Sequence, residues 1–165
     1  MPPADDLHWN TLLLIFVENQ TFTVEPIHPL VQAYADRFTS PEDPLLLQVA
    51  VDTRATHTNA HMLSGQVQGK FLSFLSNLMR PSRILEIGTY TGYSALCLAK
   101  GLLKDGELHT IELKEEDAAI ARANFNRSNA AGKIILHVGN ALEIIPSLAE
   151  TWDLVFIDAY NSRYS

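Results

Sequence analysis

Residues 83–94 read Arg83-Ile84-Leu85-Glu86-Ile87-Gly88-Thr89-Tyr90-Thr91-Gly92-Tyr93-Ser94, and their order decides the fold. Ile84, Leu85 and Ile87 make a short apolar run, as expected of a parallel strand buried on both faces. Gly88 and Gly92 let the backbone turn sharply, and Thr91 or Ser94 is placed to cap the helix that follows. A strand, a glycine turn and a helix N-terminus in succession form the ligand-binding corner of a doubly wound α/β fold.

The corner also restricts its ligand. A dinucleotide fingerprint needs a middle glycine so that pyrophosphate can approach the backbone. Tyr90 fills that place with a ring, and Glu86 just before the turn repels a phosphate. A nicotinamide-dependent oxidoreductase is therefore disfavoured. The corner suits a nucleoside that carries positive charge and no phosphate, a description that S-adenosylmethionine (SAM) fits.

Downstream, strand and helix patterns alternate, the mark of βαβ units. A helix is predicted over 92–103, a strand over 107–112 and a helix from about 114 to before Gly132. A strand over 133–138, a helix over 141–149 with Pro146 near its end, and a strand over 153–158 follow. Right-handed crossovers arrange these four strands in the order 3-2-1-4. The fold class is thus a Rossmann-like α/β sheet. Only seven residues follow Asp158. The domain, 29–165, is accordingly expected to be incomplete at its C-terminal side, with Leu154-Val155-Phe156-Ile157 as an open apolar edge unless something pairs with it.

Upstream, Leu30, Val31, Tyr34, Ala35 and Phe38 recur at helical spacing and predict one apolar face. A second helix is expected to open at Ser40-Pro41 and run to about Arg54. A third, over 65–79, should bury Val67, Phe71, Leu72, Leu75 and Leu78 before Arg80-Pro81 stops it. These helices read as a cover over the sheet. Residues 1–28 read as a leader or as a β-hairpin of 12–17 with 21–25.

Composition sets the bounds. At 165 residues the chain makes one domain with a real core, and 47% hydrophobic and 19% charged residues are ordinary for a globular protein. The net charge of −7 and the lack of any Lys/Arg-rich block argue against a nucleic-acid partner. The apolar stretch 11–17 is far short of the ~20 residues that span a bilayer, and its acidic flank is not that of a signal peptide. The single cysteine, Cys97, falls inside a helix and reads as a buried apolar residue. A reducing cytoplasm is the expected compartment.

Three carboxylates stand at carboxyl ends of strands, where ligands bind in open α/β sheets. Glu112 lies twenty residues past Gly92, the usual offset for an acid that takes ribose hydroxyls. Glu86, inside an apolar run, is costly to bury unless bonded, which points to a binding or bracing role. Asp158 closes Leu-Val-Phe-Ile-Asp in the same way and is placed for a metal or for the cationic part of a cofactor. Gly139-Asn140-Ala141 offers small residues and an amide where an adenine would lie flat, though Gly-Asn is also an ordinary turn. His57 and His61 have a spacing that can bind metal on a helix, but with no third ligand nearby a solvated pair is expected. His137 alternates within its strand and is expected to be structural.

Taken together, these motifs resemble the cation-dependent, SAM-using O-methyltransferases of the caffeoyl-CoA and catechol type. The resemblance runs from about Leu30 to Ser165. It rests on His61-Met62-Leu63-Ser64-Gly65 with Gly69-Lys70, the 85–94 corner, Thr110-Ile111-Glu112, Gly139-Asn140-Ala141, and Asp153 through Ala159. It implies cofactor contacts from Met62 and Ser64 in the cover. It implies that Glu86, Gly88, Tyr90 and Ser94 hold the methionine end, Glu112 the ribose, and Asn140 with Ala141 the adenine. Asp158 would be the catalytic residue as first ligand of a Mg²⁺-like divalent cation, which in such enzymes binds both oxygens of a catechol-like acceptor. Homodimerisation is also implied.

Two departures stand out. Such enzymes usually carry a lysine three residues after the metal aspartate as the base; here Asn161 stands there, with Tyr160 as an aromatic wall and Arg163-Tyr164 family-like again. The Asp-Asn pair that completes the metal site has no counterpart. The chain is thus expected to be an O-methyltransferase or, alternatively, a SAM-binding module or fragment that needs a partner or further strands.

Overall fold

The structure, a computed structural model, describes residues 12–15 and 28–159. Its centre is β2 (Arg83–Ile87), where Ile84, Leu85 and Glu86 are all buried, as a strand covered on both faces requires. On one side β2 pairs with β3 (Glu107–Glu112), which pairs with β4 (Ile134–Val138). On the other side it pairs with β5 (Leu154–Ile157). All these pairings are parallel, and they reproduce the predicted order 3-2-1-4.

The sheet has one strand more than predicted. Leu12–Ile15 forms β1 and lies parallel to β5, with Leu12 opposite Leu154 and Ile15 opposite Ile157. The full order is β1-β5-β2-β3-β4. The expected open edge at β5 is therefore paired within the chain. Residues 21–25, expected as the second arm of a hairpin, lie outside the described residues.

One face of the sheet carries Ile84, Leu108, Ile134, Leu154 and Phe156 into the main apolar cluster. Helices α2 (Pro44–Thr56), α3 (Gln66–Met79), α4 (Tyr93–Leu98) and α5 (Glu115–Asn126) cover it, with Leu46, Val49, Leu72, Leu96, Leu98 and Phe125 in the same cluster. Burying such a side chain contributes about 1.5–3 kcal/mol. Cys97 is fully buried there, as expected, and burial pushes its thiol up to about 12.

Several helix boundaries differ from expectation for local reasons. α2 begins at Pro44, not at Ser40-Pro41, because Asp43 is the N-cap: its carboxylate accepts the Leu45 N–H at 2.9 Å. Neither Thr91 nor Ser94 caps α4. Gly92 does so in a left-handed conformation (φ 88°), and Thr91 turns inward to accept a hydrogen bond from Thr53 at 3.0 Å. The helix predicted over 141–149 is one turn, α6 (Ala141–Ile144), followed by a 3₁₀ turn over Ile145–Ser147 that contains Pro146.

The helical cover departs most. α1 (Pro29–Phe38) buries no residue: Leu30 and Tyr34 are 74% and 66% exposed. In α3, Leu72 is buried as expected, but Phe71 and Leu78 are exposed, and Gly69 and Ser76 complete the buried stripe. This stripe lets α3 approach α4 closely. Ser73 donates to the Cys97 carbonyl at 3.1 Å and Ser76 to the Leu98 carbonyl at 2.5 Å.

Candidate functional site

The glycine corner opens into a pocket at the carboxyl end of β2. Gly88, Thr89 and Tyr90 form its base, and Tyr93 and Ser94 enter from α4. A 3₁₀ turn over Ala60–Met62 brings Met62, Leu63 and Ser64 over it. Asp158 and Ala159, just past β5, close the remaining side. Six of the residues singled out by sequence therefore share one pocket: Met62, Ser64, Gly88, Tyr90, Ser94 and Asp158.

Gly88 shows why the corner needs its glycines. Its φ is 100°, and a Cβ there would stand 2.2 Å from the Asp158 carbonyl oxygen. The Asp158 N–H donates to the Ile87 carbonyl at 2.9 Å, so β5 delivers its terminal acid directly beside the turn.

Glu86 lies beneath the pocket with no accessible surface. The Thr110 hydroxyl donates to its Oε2, and the Thr89 hydroxyl bonds to that of Thr110. Oε1 has no donor at hydrogen-bonding geometry. Burial pushes the Glu86 carboxyl up to about 8; the Ser94 and Thr110 hydroxyls oppose the shift, while Asp158 and Glu112 add to it.

Glu112, at the end of β3, is 8% exposed, not a solvated strand-end acid. Its Oε2 accepts the Tyr90 N–H at 2.7 Å, and its Oε1 accepts the Lys114 N–H at 3.0 Å. Each oxygen keeps a lone pair for a further donor. Tyr90 itself has a φ of 51°, a left-handed conformation that costs a non-glycine residue about 1–3 kcal/mol. The Glu112 bond is one of the contacts that hold it.

Asn140 and Ala141 are not part of the pocket lining. The Asn140 side chain is the N-cap of α6, accepting the Leu142 N–H at 3.0 Å. The adjoining Gly139 N–H donates to the Glu112 carbonyl at 2.8 Å, which sets this loop next to the end of β3.

His57 and His61 are not a solvated pair. His61 is exposed, but the His57 side chain is 12% exposed and lies 2.6 Å from the Asp117 carboxylate. The outward spacing of the two histidines hid this, because the partner is far along the chain. His137 bonds to His109 at 3.1 Å across neighbouring strands, and burial with the adjacent His109 lowers its pKa. Sequence reasoning also passed over Leu63, Thr89, Tyr93 and Ala159 as pocket residues. Thr89 and Tyr93 stood within the quoted corner, and only their inward direction was missing.

The divalent cation implied by the resemblance finds a single candidate ligand in Asp158. Among the described residues no group of three or more His, Cys, Asp or Glu side chains is arranged to hold a metal ion. This donor set does not make a cation site. Tyr160 and Asn161 lie outside the described residues.

A parallel sheet whose central strand turns through Gly88 into α4, with acids at the ends of β2, β3 and β5, defines a Rossmann-like fold of the SAM-methyltransferase kind. Solved structures share it. The O-methyltransferase TomG from Streptomyces achromogenes, in complex with SAM, superposes with a TM-score of 0.71 at 36% identity, over 79% of this chain and 60% of that one. The SAH-bound methyltransferase PaMTH1 of Podospora anserina gives 0.76 at 29% identity, over 87% and 62%. The sequence pattern of the O-methyltransferase family matches residues 37–165, and the chain belongs to that family. A catechol O-methyltransferase of Mycobacterium tuberculosis H37Rv is 38% identical over 136 residues, 82% of this chain and 61% of the relative. The chain thus spans about three fifths of that relative's length.

Proposed function

We propose that the pocket binds SAM and that the chain serves methyl transfer to a hydroxyl of a small, catechol-like acceptor. The observation that carries this reading is the convergence of three carboxylates on one corner: Asp158 lines the pocket, Glu86 is buried beneath it, and Glu112 holds the Tyr90 N–H at its wall. With Tyr90 in the phosphate position, such a site favours a cationic nucleoside. The SAM and SAH complexes of structural relatives support it.

In this reading Glu112 accepts the ribose hydroxyls through its spare lone pairs. Gly88, Tyr90 and Ser94 receive the methionine end with Glu86 buried beneath them, and Met62 and Ser64 cover it. Asn140 and Ala141 border the adenine. SAM supplies an electrophilic methyl group on a sulfonium. The acceptor oxygen forms the new O–CH₃ bond as the S–CH₃ electron pair returns to sulfur, giving SAH, and the hydroxyl proton passes to water. The protein's part is to fix the two reactants in line. Cation assistance with Asp158 as first ligand would need further ligands from outside the described residues. The reading also places the protein in the cytoplasm; no helix among the described residues is long and apolar enough to cross a membrane.

Calorimetric titration of SAM and of SAH tests the binding. Saturable, micromolar binding that is lost in Glu112→Ala is expected; no binding to a monodisperse sample would overturn the reading. Incubation with SAM, a catechol and Mg²⁺, with and without EDTA, then tests turnover. Binding without turnover would favour the second reading, a SAM-binding portion that needs further strands or a partner.

A further inference from the structure

His57 touches three neighbouring parts of the fold: the turn that covers the pocket, the first turn of α5, and the Tyr90 wall. It caps the end of α2, and its Nδ1 accepts the Asn59 N–H at 3.2 Å, at the start of the turn that carries Met62 and Ser64. Its Nε2 lies 2.6 Å from Asp117 in the first turn of α5, where both side chains are nearly buried. Because Nδ1 is an acceptor, Nε2 carries the hydrogen and donates it to the carboxylate. Both ring nitrogens are thereby used.

The same ring stands edge-on to Tyr90, with centroids 4.7 Å apart. Tyr90 needs such support. Its backbone is left-handed, and its hydroxyl, though buried, has no hydrogen-bond partner among the described residues. Strain of this kind persists only where surrounding contacts over-determine it. Glu112 fixes the Tyr90 N–H, and the His57 edge fixes the ring.

We propose that His57 is a positioning residue of this pocket, locking the 59–64 cover and the Tyr90 wall in the geometry that receives the cofactor, with Asp117 setting its tautomer. The proposal rests on the reading that the pocket binds SAM. It assigns His57 no contact with the reacting atoms.

Two substitutions divide the ring's functions. His57→Gln keeps a donor near the Nε2 position for Asp117 and removes the acceptor for Asn59. His57→Asn keeps an acceptor near Nδ1 and gives up Asp117. Amide hydrogen exchange on the ligand-free chain and calorimetry with SAH read the outcome. In His57→Gln, amides 59–64 should exchange about tenfold faster and SAH should bind about tenfold more weakly, the weight of one hydrogen bond in an equilibrium constant. Amides of β2, β3 and β4 should be unaffected, and His57→Asn should recover much of the protection at 59–64.

Wild-type protection at 59–64 in His57→Gln would overturn the proposal, as would an equal loss across the sheet, which marks a merely structural role. A wild-type chain that bound no SAH would sink the SAM reading, and the exchange measurement would still decide whether His57 holds the cover.

Discussion

Glu86 sits where two requirements conflict. A carboxylate buried without full hydrogen bonding is costly, so burial favours its protonated form and raises its pKa from 4.5 to about 8. The consequence for stability follows from linkage. Below pH 4.5 the folded and unfolded chains both hold the proton, and the stability of the empty protein is undiminished by this group. As pH rises toward about 8 the unfolded chain loses the proton while the folded one keeps it, and stability falls. Glu86→Gln removes this slope. In thermal melts the difference between variant and wild type should widen by several degrees from pH 5 to pH 8, each kcal/mol moving Tm by about 2–4 °C in a domain of this size. Parallel pH profiles would mean that Glu86 is ionised in the empty pocket. A saturating cationic ligand should reverse the trend by favouring the carboxylate, and its binding at pH 7 should release protons. The choice of this residue was legible in the sequence, since an acid inside Ile84-Leu85-Glu86-Ile87 demands a reason. Its partner Thr110 was not, because the bond crosses from β2 to β3.

Among the elements, the strands were read well and the helical cover poorly, and the difference is physical. A strand buried on both faces announces itself by an unbroken apolar run. A helix announces only that it has an apolar face, not what covers that face. In α3 the residues that meet α4 are Gly69 and Ser76, chosen for smallness, while Phe71, Phe74 and Leu78 point outward at 49%, 61% and 69% exposure. Gly69 gives a test in which two effects compete. Alanine in a helix interior is favoured over glycine by roughly 0.5–1 kcal/mol. A Cβ at 69, however, would meet the Tyr93 ring at 2.7 Å and the Cys97 sulfur at 3.0 Å, and overpacking costs about 1–3 kcal/mol. The clash should win. Gly69→Ala is expected to lower the urea midpoint and, because Tyr93 lines the pocket, to weaken SAH binding as well. A stabilised variant with intact binding would show that α3 can move away without disturbing the pocket.

For the whole molecule, the exposed apolar residues of α1, together with Phe71, Phe74 and Leu78 of α3, form surface that a lone chain leaves in water. The homodimer implied by the resemblance is accordingly proposed to use this surface. Light scattering on the size-excluded protein should give twice the chain mass, and the double change Tyr34→Glu and Phe74→Glu should give one chain mass without loss of helicity. A wild-type monomer at high micromolar concentration would dismiss the idea. The sheet order was readable because right-handed crossovers leave little choice. Residues 12–15 were legible as a strand and 154–157 as an edge in want of a partner, but not that the two pair with each other, because nothing local in either segment names its partner.

That pairing also sets the earliest moment at which β1 can join the sheet on the ribosome. β1 leaves the exit tunnel about 140 residues ahead of its partner β5, which at ~5–20 residues per second is a wait of roughly 7–30 s. During that interval Leu12-Leu13-Leu14-Ile15 has no sheet to join, while β2, β3 and β4 already have one another. Closing so long a loop is the slow step expected of a chain with distant contacts. Nascent chains stalled before residue 154 should therefore hold a protected three-strand core and a leading segment open to chaperones and proteases.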